Sequence, residues 1–306
     1  MDLSAINPAA LLASLMVAAT PILLAAIGEM VVEKSGVLNL GVEGMMITGA
    51  VTGFAVAVET QSPFFGFVAA AAASAVLSLV FGFLTLKLLS NQVATGLALT
   101  LFGLGLSALI GQAYAEQRPP STARLDLGFL SDLPFFGRVL FSHDPIVYLS
   151  LALLVAVWAF LKFARLGLVL RAVGENHDAA HALGYKVVRI RMIAIAFGGA
   201  CAGLGGAHLS LVRVAQWTDG MTAGAGWIAL AIVVFASWKA QRVLLGAYLF
   251  GGISVLQLNL QVAGIPVPVE YLSMSPYIIT ILVLVLISRS STAAPASLGK
   301  PFFATS

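Results

Sequence analysis

Glu29, Glu33, Lys34, Asn39 and Glu43 stand together in GEMVVEKSGVLNLGVEGMMITGA (28–50), beside an apolar run. A charge deep in a bilayer costs at least about 2.5–3.5 kcal/mol on insertion scales, so Glu43 is expected to face protein or water and not lipid. Gly36, Gly41 and Gly44 allow the backbone to leave helical geometry and turn its carbonyls and amides into a cavity. Two readings are open: an interfacial loop between helices, or an unwound segment beside a polar translocation path. GEMVVEKS approaches a phosphate-binding P-loop but puts Glu33 where the motif needs glycine, and a carboxylate there would repel phosphate. ATP is therefore not expected on this chain, and no other cofactor is assigned to it.

Other chemistry is sparse. His177 and His181 are four apart and could share a helix face, but zinc would need a third ligand and Asp178 would point elsewhere, so no metal ligand is assigned. His143 and His208 stand alone, and no nucleophile–base pair has a recognisable spacing, so no catalytic residue is expected. Gly199 and Gly203, in GGACAGLGGA (198–207), have GxxxG spacing and are read as helix packing. In RLGLVLRAVGENHDAAHALGYKVVRIR (165–191), Asp178 could cap a short helix with a small Ala179–Ala180 face that ends at Gly184. Such a helix suits a partner's groove; the other reading is a basic loop that only sets topology.

These residues must be positioned by membrane helices. The 306 residues are 60% hydrophobic and 9% charged, with a mean hydropathy of +1.01; soluble domains carry roughly a quarter charged residues. The net charge of +3 resides in short loops between apolar runs, which argues against a nucleic-acid partner and follows the positive-inside rule. Apolar runs at 11–27, 64–86, 93–110, 146–161 and 192–212 are plain spans, and 45–58, 227–238, 243–258 and 272–287 are weaker ones. The expected fold is all-α and polytopic, with about 8–10 transmembrane helices, some broken or re-entrant, in a single domain over 1–306. Before the first run no Lys or Arg occurs, so it lacks a signal peptide's basic region and is read as a retained helix. The lone Cys201 excludes an intrachain disulfide.

Lys162, Arg165, Arg171, Lys186, Arg189 and Arg191 outweigh Glu175 and Asp178, which places the 162–191 loop inside, together with Lys87, Lys239, Arg242, Arg289 and Lys300. The 59–63 turn and the 111–144 segment are expected outside, with the N-terminus. In 111–144, Arg118, Arg124 and Arg138 are outweighed by Glu116, Asp126, Asp132 and Asp144. With Pro119, Pro120, Pro134 and Gly137, that segment is too short for its own core; it is read as an external loop or a docking surface. Gly36–Val58 and Gly220–Trp238 each follow a full apolar helix and a polar stretch, which suggests two pseudo-repeated halves with a substrate site between them.

DAA…G at 178–184 resembles the EAA…G coupling loop of ATP-driven (ABC) importer permeases, with Asp for Glu. GENHDAAHALGYKVVRIR with AFGGACAGLGGA is similar to the branched-chain amino acid and ribose-type permeases. GVLNLGVEGMM and MTAGAGWIALAIVVF resemble nucleoside-importer permeases that work with basic-membrane-protein-type lipoproteins. The likeness runs from about Pro21 to Arg289. VVFASW (233–238) departs from it, with Ala236-Ser237 where many relatives have a phenylalanine–glycine or similar small pair. The resemblance implies a permease subunit in a bacterial plasma membrane that imports nucleosides or related ribosides, or else simple sugars or branched-chain amino acids. It implies cytoplasmic ATPase subunits that bind ATP-Mg, a second permease (a paralogue, or a homodimer), and an external substrate-binding protein. It assigns ATPase coupling to Gly174, Glu175, Asp178, Ala179, Ala180 and Gly184, and the substrate pathway to Asn39, Glu43 and Trp227. An ion-coupled carrier is the other class, disfavoured because the central helices offer almost no ionisable group besides Glu43.

Overall fold

The structure, a computed structural model, describes residues 8–125, 128, 133, 135–262, 268–287 and 294–303. Arg289, Asp126, Asp132 and Pro134, used above for topology, lie outside the described residues. The elements are α1 (Pro8–Lys34), α2 (Val42–Thr60), α3 (Pro63–Leu86), α4 (Gln92–Gly111), α5 (Phe136–Leu140), α6 (Pro145–Phe163), α7 (Arg165–Glu175), α8 (His177–Ala182), α9 (Val187–His208), α10 (Ala225–Phe235), α11 (Ala240–Val262) and α12 (Val269–Ile287). Local chemistry sets several starts. Pro63 and Pro145 open α3 and α6, where a missing N–H costs nothing. Asp144 accepts from the Ile146 and Val147 amides, and Asn91 from that of Ala94.

Among the described residues, seven helices are long and apolar enough to cross a membrane, and α10 and the 270–283 part of α12 are shorter apolar helices. The chain is thus an all-α polytopic membrane protein. α9 sits in its centre, packed by α1, α2 and α3. The contacts there are close because they are made by glycines: a Cβ on Gly199 would overlap the Ser78 side chain, and one on Gly203 the Ala70 carbonyl. GxxxG packing is therefore what these two glycines do.

Three boundaries differ from those the hydropathy suggests. α1 runs past residue 27 to Lys34, because its polar end is inside the protein: Glu29 Oε1 accepts from the Asn39 amide (3.4 Å) and Glu33 Oε2 from Trp238 Nε1. The non-helical stretch is therefore only 35–41. α2 is a full span of modest hydropathy, 78% buried against 28% for α4; a helix surrounded by protein has no need of lipid-like side chains. The 162–191 region is two helices, α7 and α8, and α9 begins within it, so Arg189 and Arg191 are helical.

Candidate functional site

The 35–41 break rises along α4. The Leu38 amide donates to Gln92 Oε1 (2.8 Å), at the start of α4, and Leu40 O accepts from Thr100 Oγ1 (3.2 Å), eight residues further on. At about 1.5 Å per residue, α2 therefore starts about 12 Å inside the bundle. The 214–224 stretch enters from the opposite end, and the two meet at Glu43. Its Oε1 accepts from Thr222 Oγ1 (2.6 Å) and the Gly224 amide (2.9 Å), and its Oε2 from the Gly226 amide (2.6 Å). An acidic side chain suits the N-terminus of α10, where amides point outward unpaired. Trp227 lies beside it, half exposed, with Nε1 donating to Leu40 O (3.4 Å). Asn39 is buried: its Oδ1 accepts from the Gly41 amide (2.9 Å) and its Nδ2 approaches Met45 Sδ (3.4 Å). Asn39, Glu43 and Trp227 thus fall at one junction of the two halves, with Asn39 and Glu43 closed in by their own partners.

Open space lies next to this junction. A cavity of about 560 Å³ reaches Thr222 and is also lined by Arg213, Phe250, Ser254, Gln257 and Tyr277. A neighbouring cavity of about 400 Å³ shares Arg213 and is lined by Ser14, Arg124, His143 and Asp144. Arg213 closes a π-helical turn, Leu209–Arg213, that extends α9; such turns recur at functional sites. Among the described residues no carboxylate lies within ion-pair distance of it. The residues assigned to the pathway from the sequence do not include Arg213, although an arginine at the end of the 192–212 apolar run is the kind of signal that marks a polar path. At the outer edge of the second cavity, Asp144 Oδ2 meets His208 Nε2 at 3.3 Å. Burial raises the Asp144 carboxyl, but His208 and the Ile146 and Val147 amides outweigh it and hold it below the usual carboxylate range. Nothing in the sequence pairs residues 64 positions apart, so His208 was legible only as a lone histidine.

At the other end of the bundle, α7 and α8 form the second constellation. Asn176, and not Asp178, caps α8, accepting from the Ala179 amide (2.9 Å); with helix starting at His177, Asp178 is already inside the first turn. Asp178, Ala179, Ala182 and Leu183 are exposed, and Ala180 is buried against Val173, Val187 and Phe302. Gly184 ends the helix with φ +87 and open space around it. Its amide donates to His181 O (2.8 Å) and the Tyr185 amide to Ala180 O (3.1 Å), a left-handed glycine cap. Glu175 is exposed, and Gly174 is buried with its Cα pressed on the Lys34 carbonyl. His177 and His181 do share a face, and Phe302 fills it, edge-on to both rings at 5.3 Å. Among the described residues no three His, Cys, Asp or Glu side chains converge as metal ligands. Arg191, read above as a topology-setting charge, is fully buried.

The family of branched-chain amino acid transport system permease components matches residues 11–286. A putative glucose ABC transporter permease of Haloferax volcanii is 41% identical over 90% of this chain and 91% of its own length. Two guanosine ABC transporter permeases of Bacillus subtilis are also similar. One is 33% identical over 98% of this chain and 97% of its own length; the other is 25% identical over 92% and 81%. No solved structure matches.

Proposed function

Because the chain belongs to the family of branched-chain amino acid transport permease components, and so is a permease subunit of an ABC transporter, we propose that it imports an uncharged, hydroxylated cargo, a nucleoside or related riboside. The observation that carries the cargo class is the Arg213 cavity. It is lined by hydroxyl, amide and guanidinium groups together with an aromatic pair, Phe250 and Tyr277, with ring centroids 5.4 Å apart. Polar groups there would hold ribose oxygens, and the aromatic side suits a flat base. The glucose permease of Haloferax volcanii favours a second reading, a simple sugar. Uptake of labelled guanosine, glucose and leucine by vesicles holding the complete transporter separates the two, and transport of leucine alone would defeat both.

Arg213 is the residue to test within that cavity. A hydrogen bond from a charged group is worth about 1.5–3 kcal/mol, so Arg213→Gln should raise the KM of guanosine uptake about 10–100-fold. An unchanged KM would remove Arg213 from the path. Asn39 and Trp227 belong to the same proposal as supports of the junction that borders it.

In the proposed cycle, α8 seats in a groove of a separate cytoplasmic ATPase, which binds ATP-Mg, and Gly174, Glu175, Asp178, Ala179, Ala180 and Gly184 form or hold that knob. The α7–α8 end and the C-terminus then face the cytoplasm of a bacterial inner membrane, and the 111–144 end faces an external binding protein. A paralogous permease completes the pathway, as the two similar guanosine permeases of one organism suggest. Gly184 gives the test of docking. At φ +87 a residue with a Cβ costs about 1–2 kcal/mol, more if β-branched, whereas asparagine tolerates this region. Gly184→Val should lose the ATPase on co-purification and Gly184→Asn should keep it. Because the space around Gly184 is open, equal retention by both would show that the cap does not shape the docking knob.

A further inference from the structure

Arg191 is among the largest side chains buried completely in the protein, and among the described residues no carboxylate forms an ion pair with it. Its guanidinium instead joins three separate pieces of chain. Nε donates to Ser35 O (3.1 Å) in the break after α1, Nη1 to Lys300 O (3.4 Å) in the C-terminal segment, and Nη2 to His177 Nδ1 (3.1 Å) on α8. Burial and the Arg191 charge push the His177 pKa down, with Asp178 opposing, which favours the neutral ring; with Nε2 turned toward Asp178 Oδ1 (3.5 Å), Nδ1 is the nitrogen left to accept. Gly36, at φ +89, leaves room for the fork: a Cβ there would stand 2.8 Å from Nη2.

The 296–302 segment repeats these connections with its own atoms. The Ser297 amide donates to Gly174 O (2.9 Å), its hydroxyl donates to Glu175 O (3.2 Å) and accepts from the His177 amide (3.3 Å), and the Gly299 amide donates to Gly36 O (3.3 Å). Phe302 is buried against α8. A buried cation with no carboxylate in direct contact is a poor source of stability compared with an apolar side chain of similar volume. Its planar fork, however, fixes the relative placement of three acceptors.

We propose that Arg191 and the 296–302 segment are positioning elements that fasten the coupling helices α7 and α8 to the break at 35–41. Displacement of α8 is thereby delivered to the backbone that leads to Glu43. The coupling helices reach the inner junction along this route: α8 to Arg191 and Ser297, these to Ser35 and Gly36, and the break to Glu43 and α10. The proposal rests on the reading of α8 as the helix that meets the ATPase.

The test uses the complete transporter in proteoliposomes, with ATP hydrolysis and labelled guanosine uptake, or labelled glucose if that is the cargo, measured together. Ser297→Ala/Phe302→Ala removes the segment's side-chain grip at the periphery of the bundle. It should assemble with the ATPase and hydrolyse ATP within twofold of the unmodified complex, keep the KM for uptake, and lose at least tenfold in cargo moved per ATP. Ser297→Ala/Phe302→Leu, which refills the pocket between the histidines, should recover the ratio, and Arg191→Lys in the otherwise native chain, which lacks the fork, should lose it. An unchanged ratio in the double-alanine variant overturns the proposal. So does loss of ATPase binding by that variant, since α8 would then be misplaced and not disconnected. If the unmodified chain itself neither binds an ATPase nor couples, the reading of α8 fails instead, which keeps the two failures apart.

Discussion

Glu43→Ala is expected to abolish uptake and to lower the melting temperature of the detergent-solubilised protein. The substitution strips the acceptor from three donors, Thr222 Oγ1 and the Gly224 and Gly226 amides. All three lie where α10 begins; the Thr222 and Gly226 bonds are buried and the Gly224 bond partly so. Each buried donor left without a partner costs about 1–3 kcal/mol, and the two amides have no helical acceptor to return to. A Cβ on Gly226 would sit 2.6 Å from the Glu43 Cα, so the two segments meet backbone to backbone. Glu43→Gln separates charge from contact. Its amide oxygen can still serve Thr222 and Gly224, but its NH2 then faces the Gly226 amide, donor against donor. The glutamine variant should therefore reach the membrane and transport at a reduced rate, between wild type and alanine. The check is vesicle uptake beside a fluorescence-detected melt. If alanine matched wild type in uptake, the junction of the two halves would have no part in transport.

Part of this junction was legible in the sequence and part was not. An acidic residue among glycines beside an apolar run announces a carboxyl that must be held by protein, and Gly220–Trp238 repeats the arrangement in the second half. The sequence does not say that the two stretches meet, because the pairing of Glu43 with Thr222 spans 179 positions and depends on how α2 and α10 are brought together. α10 itself was found, since its glycine boundary and apolar content are local. α1 was placed short for a related reason: hydropathy treats Glu29 and Glu33 as an end, whereas burial against Asn39 and Trp238 lets the helix continue. The short helix α8 was legible down to Gly184, whose φ of +87 ends it. Its cap was assigned to the wrong side chain, since Asn176 and Asp178 are both competent and only the register of α8 decides between them. Arg191 shows the limit most clearly. By composition it is one more basic residue in an inside loop, and its burial appears only once the C-terminal segment is folded over it.

Gly174→Ala should have the second largest effect, and for a reason confined to one methyl group. A Cβ at this position would overlap the Lys34 carbonyl and crowd the Gly36 amide at 3.3 Å. Both are backbone, so no side chain can swing away, and α7 must back off from the end of α1. Overpacking of this kind costs about 1–3 kcal/mol, which a polytopic protein can absorb. The Ser297 amide bond to Gly174 O and the Gly299 amide bond to Gly36 O, which hold the C-terminal segment across this contact, cannot both survive the shift. The variant should therefore insert and fold, yet lose transport driven by the ATPase. A cysteine placed at Ser297, buried in the native chain, should become reactive to an aqueous thiol reagent in the Gly174→Ala background and stay protected without it. Gly105→Ala is the matched control, because a Cβ there meets nothing within 4 Å, and it should leave uptake and protection unchanged. Should Gly174→Ala transport normally with Ser297→Cys still protected, the close seat of α7 on α1 would be incidental. The path by which α8 reaches the membrane helices would then have to run through α9 alone.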